Sequence, residues 1–177
     1  MNEETRKNMA SSQSVHWCSP TNLLDCVYEV NDVALDPCSN KLSVVQAKRA
    51  ILPDDRDGLN ASWATEVHEV GGGLVYVNPP YGRQAKAWVQ KAVIESARGS
   101  EIILLVGART ETKWFQDWLF ATAHAICFWK GRLTFIDGTG QGRSNPAFFP
   151  SAVAYWGPNP QQFHRVFSQK GHTIKNY

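Results

Sequence analysis

Apolar positions along the chain fall into two patterns. Leu74-Val75-Tyr76-Val77 and Ile102-Ile103-Leu104-Leu105-Val106 are continuous apolar runs of strand length, and Val33-Ala34-Leu35 is a shorter one ending at Asp36–Pro37. Such runs belong to strands buried on both faces. Leu23, Leu24, Val27 and Tyr28 recur at helical spacing after Pro20, which is tolerated in a first helical turn, and predict a helix over 20–29. Ala85, Trp88, Val89, Ala92 and Val93, with Gly99 closing the segment, predict another over 84–98. Helices are also expected over 44–51, with Lys48 and Arg49 near its C-terminus, and over about 111–122. Residues 125–136 and 147–156 are aromatic and β-branched and flank a Gly-rich loop, so a late antiparallel strand pair is expected. Strands alternating with helices describe an α/β sheet, mostly parallel, with helices on both faces.

Composition narrows the class. A chain of 177 residues has room for one domain, expected over 15–177, behind a polar tail at 1–14 that lacks large apolar anchors. A 43% hydrophobic share excludes a wholly disordered chain. No apolar run approaches the roughly 20 residues that cross a bilayer, and the start MNEETRKNMASSQS does not read as a secretory signal. Cys18, Cys26, Cys38 and Cys127 form no CxxC pair and lack histidines at ligand spacing. Neither a disulfide framework nor a zinc site is expected, and a reducing cytoplasm is the expected compartment. The net charge of +2 conceals two unlike halves: residues 1–82 carry six basic and eleven acidic side chains, residues 83–177 twelve and five. A basic half is compatible with nucleic-acid binding, though charge drifts along many ordinary chains.

In open α/β sheets, ligands bind beyond the C-terminal strand ends. Two such ends carry chemistry: Asp36–Pro37–Cys38 and Asn78–Pro79–Pro80–Tyr81. Consecutive prolines fix φ twice, remove two backbone donors and bias Asn78 towards an extended backbone. The edge then offers acceptors, the Asn78 side-chain carbonyl and the Pro79 backbone carbonyl, beside the flat face of Tyr81. That arrangement suits an exocyclic amino group whose ring stacks on an aromatic. A proline-rich turn that merely ends a strand, with Tyr81 as a packed aromatic, is the plainer alternative.

NPPY after a strand resembles motif IV of the amino-group DNA methyltransferases, which methylate adenine N6 or cytosine N4. WCSP at 17–20, LDPCSN at 35–40, DDRDGL at 54–59 with Trp63, and VNPPYGRQAKAWVQKA at 77–92 resemble successive blocks of phage-type Dam-like adenine-N6 methyltransferases. GARTETKWF at 107–115, KGRLTF at 130–135 and FPSAV at 149–153 continue the resemblance, which spans roughly 15–156 in order. It implies a Rossmann-like, S-adenosylmethionine-dependent fold acting on DNA, in bacterial cytoplasm if the chain is phage-encoded, without a metal. Asn78, Pro79 and Pro80 would then hold the adenine amino group, and Tyr81 would stack on the flipped-out base.

For S-adenosylmethionine the resemblance implicates Asp36, Pro37 and Cys38, with Asn78 alongside. Here the sequence departs from the wider superfamily, since DPCSN has no glycine where a Gly-rich loop is usual. Asp57, Gly58 and Leu59 are favoured for the ribose or adenine end, with Asp54 and Asp55 as alternatives or as an exposed acidic turn. Trp17, Ser19 and Pro20 are expected against the methionine moiety, with Trp17 equally readable as core. Arg83, Arg109, Lys113, Lys130, Arg132 and Arg143 are the candidate DNA contacts, although each also reads as a solvated surface charge. On this view acidic residues before position 83 flank the cationic cofactor and basic residues after it face DNA. Cytosine-N4 methylation, or a catalytically silent nucleic-acid-binding module, are the alternative functions.

Overall fold

The computed structural model describes residues 17–82, 84–137, 144–147 and 149–176, with backbone alone at Trp17, Asp137, Ser144 and Asn145. The expected tail at 1–14 lies outside these residues. In chain order the elements are β1 (Trp17–Cys18), α1 (Thr21–Val30), β2 (Val33–Asp36), β3 (Arg49–Ala50), α2 (Trp63–Glu69), β4 (Leu74–Val77) and α3 (Ala85–Ala97). After these come β5 (Ile102–Gly107), a π-helical turn at Phe115–Phe120, β6 (Ala125–Trp129), β7 (Thr134–Asp137), β8 (Ser144–Pro146), β9 (Ser151–Trp156), α4 (Pro160–Phe167) and β10 (Gly171–Lys175).

Local chemistry explains where the helices begin. Pro20 keeps an extended backbone, and its carbonyl receives the first free N–H groups of α1, from Leu23 and Leu24, at 3.0 and 3.1 Å. Ser62 caps α2 through its hydroxyl, which accepts from the Thr65 N–H at 3.4 Å. Pro160 opens α4, a position where its missing N–H costs nothing.

Seven strands form one sheet in the order β10-β6-β9-β5-β4-β2-β3, and β1, β7 and β8 form a smaller sheet in the order β1-β7-β8. The run from β3 through β2 and β4 to β5 is parallel. Beyond β5 every pairing is antiparallel, because β9 inserts between β5 and β6 and β10 adds to the outer edge of β6. The sheet is therefore half parallel and half antiparallel, where a mostly parallel one was expected. The expected stretch 125–136 also divides between β6 in the large sheet and β7 in the small one.

Alternation along the strands assigns the faces. Leu74 and Tyr76 of β4 and Ile103 and Leu105 of β5 pack with Leu23, Leu24 and Val27 of α1 and Phe163, Val166 and Phe167 of α4. Val75, Val77, Ile102, Leu104 and Val106 face the other way, onto Trp63 of α2, Trp88, Val89 and Ala92 of α3, and Phe115 and Leu119. Helices thus cover both faces, and none among the described residues is long and apolar enough to cross a membrane.

The helix expected over 44–51 does not form. The Lys48 N–H bonds the Val33 carbonyl at 3.0 Å, and the Ile51 N–H bonds the Asp36 carbonyl at 2.9 Å. These donors go to a strand ladder beside β2 rather than to a helix. Val45 and Ala47 still bury apolar surface against the first core cluster, which accounts for the misleading spacing.

Trp63 joins several of these layers. It is fully buried, stacks on Trp88 with ring centroids 6.3 Å apart, and donates its indole N–H to the Gly58 carbonyl at 2.9 Å. Trp63→Ala is expected to lower the unfolding free energy by about 3–5 kcal/mol, read by urea denaturation. A loss below about 1 kcal/mol would show that the surrounding layers do not depend on it.

Candidate active site

Parallel neighbours end on the same side of a sheet, so the chain leaves β2 at Asp36 and β4 at Asn78 close together. Asp36 is only 4% exposed. One carboxylate oxygen accepts from the Cys38 N–H at 3.3 Å and the other from the Ser43 hydroxyl at 3.4 Å. These donors are neutral, and desolvation outweighs them, so burial lifts the Asp36 carboxyl to about 6. At neutral pH it is a buried anion held by neutral dipoles, a setting that favours an incoming cation. Burial likewise pushes the Cys38 thiol up, with the Asp36 carboxylate adding to the effect and the Asn78 backbone opposing it. Cys38 is thus close to both strand ends.

The absence of glycine in DPCSN is answered from another segment. At Gly58 an added Cβ would lie 1.8 Å from the Pro37 carbonyl oxygen, so only glycine permits the two loops to meet backbone to backbone. The acids around it are otherwise engaged. Asp57 closes its own turn, accepting from the Leu59 N–H at 2.9 Å and the Asn60 side-chain amide at 3.0 Å. Asp54 pairs with Lys41 at 2.6 Å, and Asp55 is exposed. Further along, Glu66 is paired with Arg49 and Arg56 at 2.7 and 2.6 Å. Among the described acids before position 83, Asp54, Glu66 and Glu69 form ion pairs, and Asp36 sits buried at a strand end.

At the second strand end the Asn78 amide nitrogen donates to the Ser19 hydroxyl at 3.1 Å. That hydroxyl lies 2.8 Å from the Tyr76 phenol oxygen. The Asn78 carbonyl oxygen, Oδ1, is enclosed and has no hydrogen-bond partner. A buried acceptor left unpaired costs about 1–3 kcal/mol, so its retention calls for a reason. Pro79 is buried and Pro80 exposed. Tyr81 is 46% exposed and meets Phe135 of β7 edge-on at 5.8 Å. Gly82, at φ +112°, turns the chain away after Tyr81 in a conformation that side chains rarely adopt.

A cavity of about 380 Å³ opens on the β5 side of this loop, lined by Pro79, Tyr81, Lys86, Arg109, Trp114 and Phe149 among others. Asp36 lies on the β2 side, so the Asn78–Tyr81 loop separates the carboxylate from the cavity. Arg109 sits at the rim with its guanidinium 5.2 Å from the Phe149 ring and 2.9 Å from Glu111. Lys113 is exposed just beyond it. Strand β6 runs in the same direction as β5, since both oppose β9, and this brings exposed Lys130 and Arg132 to the same sheet edge.

Among the expected cofactor contacts, Asp36, Pro37, Cys38 and Gly58 gather around one loop. Ser19 accepts from Asn78, the Pro20 carbonyl opens α1, and Leu59 packs beside the second core cluster. Arg83, Arg143 and the Trp17 side chain lie outside the described residues. The reading by motif missed Lys86, Trp114 and Tyr76. Lys86 and Trp114 lie inside the blocks at 77–92 and 107–115, but no residue-type argument marks them as site residues. Tyr76 was visible as the polar-tipped member of an apolar strand, a type that seeks a partner when buried.

A family model described as DNA N-6-adenine-methyltransferase (Dam) matches residues 6–174. No curated protein matches the chain significantly.

Two outcomes follow from the geometry of the β2 end. Because the folded carboxyl of Asp36 titrates near 6 against an ordinary 3.8, the folded state binds its proton more tightly than the unfolded chain. Stability from this group is therefore full below the ordinary value and lost as pH rises through about 6. Asp36→Asn should raise the unfolding free energy by about 1–3 kcal/mol at pH 8 and change it little at pH 4. Equal effects at both pH values would sink this account. Gly58→Ala should destabilise by about 1–3 kcal/mol or more through the clash with Pro37, and a melting temperature equal to that of the parent would contradict the close approach.

Proposed function

The chain belongs to the DNA N-6-adenine-methyltransferase (Dam) family, and on that premise we propose that it moves a methyl group from S-adenosylmethionine to N6 of an adenine turned out of the duplex. The observation that carries this reading is the enclosed, partnerless Oδ1 of Asn78, at the end of the strand that stands between β2, which ends at Asp36, and β5, which lines the cavity. It is an acceptor already desolvated, in the position where a donor amino group would be received.

The residues at the β2 end fit the cofactor. Asp36, as a buried anion without a cationic partner among its hydrogen-bonding groups, suits the positively charged methionine end, and the Pro37–Gly58 contact brings a second loop beside it. When bound, S-adenosylmethionine supplies an electrophilic methyl group on a sulfonium. The methyl's bond to sulfur would break as its bond to N6 forms, leaving a neutral thioether, and the methylated nitrogen would then release one proton to solvent. The fold that results is read as Rossmann-like, with the reversed β9 as its antiparallel insertion.

The chain's own groups account for the rest. Asn78 Oδ1 and the Pro79 carbonyl accept hydrogen bonds from the two N–H groups of N6, orienting the nitrogen lone pair towards the cofactor side. As that nitrogen becomes tetrahedral and gains positive charge, the same fixed dipoles stabilise it without reorganising. Tyr81, half exposed and braced by Phe135, offers its face to the base, and the apolar and aromatic cavity wall replaces the stacking lost on flipping. Arg109, Lys113, Lys130 and Arg132 stand on the same edge to meet phosphates. Rate enhancement in this arrangement comes mainly from holding nucleophile and methyl in line.

Incubation with labelled S-adenosylmethionine and unmethylated DNA should place label on adenine N6. Label on cytosine N4, or no transfer at all, would overturn the proposal. Asn78→Ala should reduce turnover by at least about 100-fold while cofactor affinity stays within several-fold. A parallel loss of both would mean that Asn78 serves the cofactor instead.

A further inference from the structure

We propose that Ser19, backed by Tyr76, is a positioning residue that holds the Asn78 amide with its carbonyl oxygen towards the substrate amino group. The proposal rests on the function given above and concerns how the acceptor is kept in the correct orientation.

An asparagine amide can rotate by half a turn and exchange its oxygen for its nitrogen with almost no change of shape. For Asn78 the two orientations are chemically opposite. With Oδ1 inward the site accepts a hydrogen bond from an amino group. With Nδ2 inward two donors would face that amino group and repel it. The surroundings must therefore choose between them, and they do so through one hydroxyl.

In the observed orientation Nδ2 donates to Ser19 Oγ at 3.1 Å, and the enclosed Oδ1 is left without a partner. Rotation would place both N–H groups where the carbonyl now finds no partner, and would leave Ser19 to donate instead. The protein would exchange one unpaired carbonyl for two unpaired N–H groups. Buried N–H groups are left unpaired more rarely than carbonyls, so the observed orientation is favoured as long as Ser19 is there to accept.

Ser19 is well fixed for this task. It is 2% exposed and lies between β1, which pairs with β7, and the start of α1. Its hydroxyl is 2.8 Å from the Tyr76 phenol oxygen. Tyr76 is fully buried in β4, two residues before Asn78, on the face that packs against α1. Burial pushes its phenol well above the ordinary range, so it stays neutral and retains a proton for this bond. The catalytic loop is thus held at two points: by the Ser19 hydroxyl, in the turn after β1, at Asn78, and by the Phe135 ring of β7 at Tyr81.

The test is steady-state kinetics of the full chain with S-adenosylmethionine and unmethylated DNA. Ser19→Ala should lower kcat by roughly 10-fold or more while KM for the cofactor and for DNA each stay within about 3-fold, because the bond acts on orientation and not on binding. Ser19→Thr, which keeps the hydroxyl, should recover most of the lost kcat. Tyr76→Phe should lower kcat by a smaller factor, roughly 3- to 10-fold, again with both KM values retained. This variant keeps the proposal open to refutation should Ser19→Ala fail to fold. An unchanged kcat in Ser19→Ala or in Tyr76→Phe overturns the proposal. So does a raised KM for the cofactor at constant kcat, which would make Ser19 a cofactor contact. Methyl transfer by the unaltered protein tests the underlying reading separately. If it is absent, the proposed function fails and this role with it; if it is present, the variants bear on Ser19 and Tyr76 alone.

Discussion

The parallel pairing of β2 with β4 puts Asp36 and Asn78 at neighbouring strand ends, since parallel strands finish on the same side of a sheet even across the register shift between Val33 and Leu35. The other groups of the site are arranged about that pair. Cys38 is near both, Gly58 brings a second loop against Pro37, and Ser19 accepts from Asn78. Pairing β4 with β5 on its other side adds the cavity wall, and the reversed β9 sets β6 parallel in direction to β5, so its basic residues share the edge. Had β2 and β4 been antiparallel, the carboxylate and the amide would lie a strand length apart.

Two kinds of buried polar group can be distinguished in this molecule. Glu95 is fully buried in α3, yet its carboxylate meets Lys91 at 2.7 Å and Arg98 at 3.0 Å, and it also accepts from the Ala64 N–H. Its charge is matched and its role is structural. Asp36 has only neutral donors, and Asn78 Oδ1 has no partner at all. A stable fold without a ligand would satisfy both. Asp36 without a countercharge and Oδ1 without a partner lower stability where the family's chemistry is expected, a usual cost of a site organised before its ligand arrives; Ser100, Ser151, His164 and Thr173 also carry buried partnerless atoms.

Several elements were readable along the chain and others were not, for reasons that differ. The strands at 33–36, 74–77 and 102–107 were legible because burial on both faces makes them continuous apolar runs. The helix α3 was legible from its period. The turn at Phe115–Phe120 fell within the expected helix over 111–122, but its π-helical winding was not visible in the period. The helix α4 lies outside the expected elements, although Asn159–Pro160 is a good start and Phe163, Val166 and Phe167 have helical spacing. The helix expected over 44–51 failed because tertiary pairing with β2 took its backbone donors. In the site, NPPY and the Asp36 strand end could be read from residue types. The Ser19–Asn78 bond spans 59 residues, and no local pattern announces a contact of that range.

By itself the sequence determined which groups were available: an acceptor edge stiffened by two prolines, a lone acid after a buried strand, an aromatic beside them, and a basic second half. Those are properties of residue types and short spacings, and they survive any arrangement of the chain. Only the tertiary structure decided which way these groups face and what they lack. It gave Asp36 neutral partners while pairing Asp54 and Glu66 with cations, supplied from Gly58 the close approach that DPCSN does not encode, and turned Ser19 towards Asn78. Orientation and desolvation depend on what stands opposite a side chain, and that is set by the packing of segments distant in sequence.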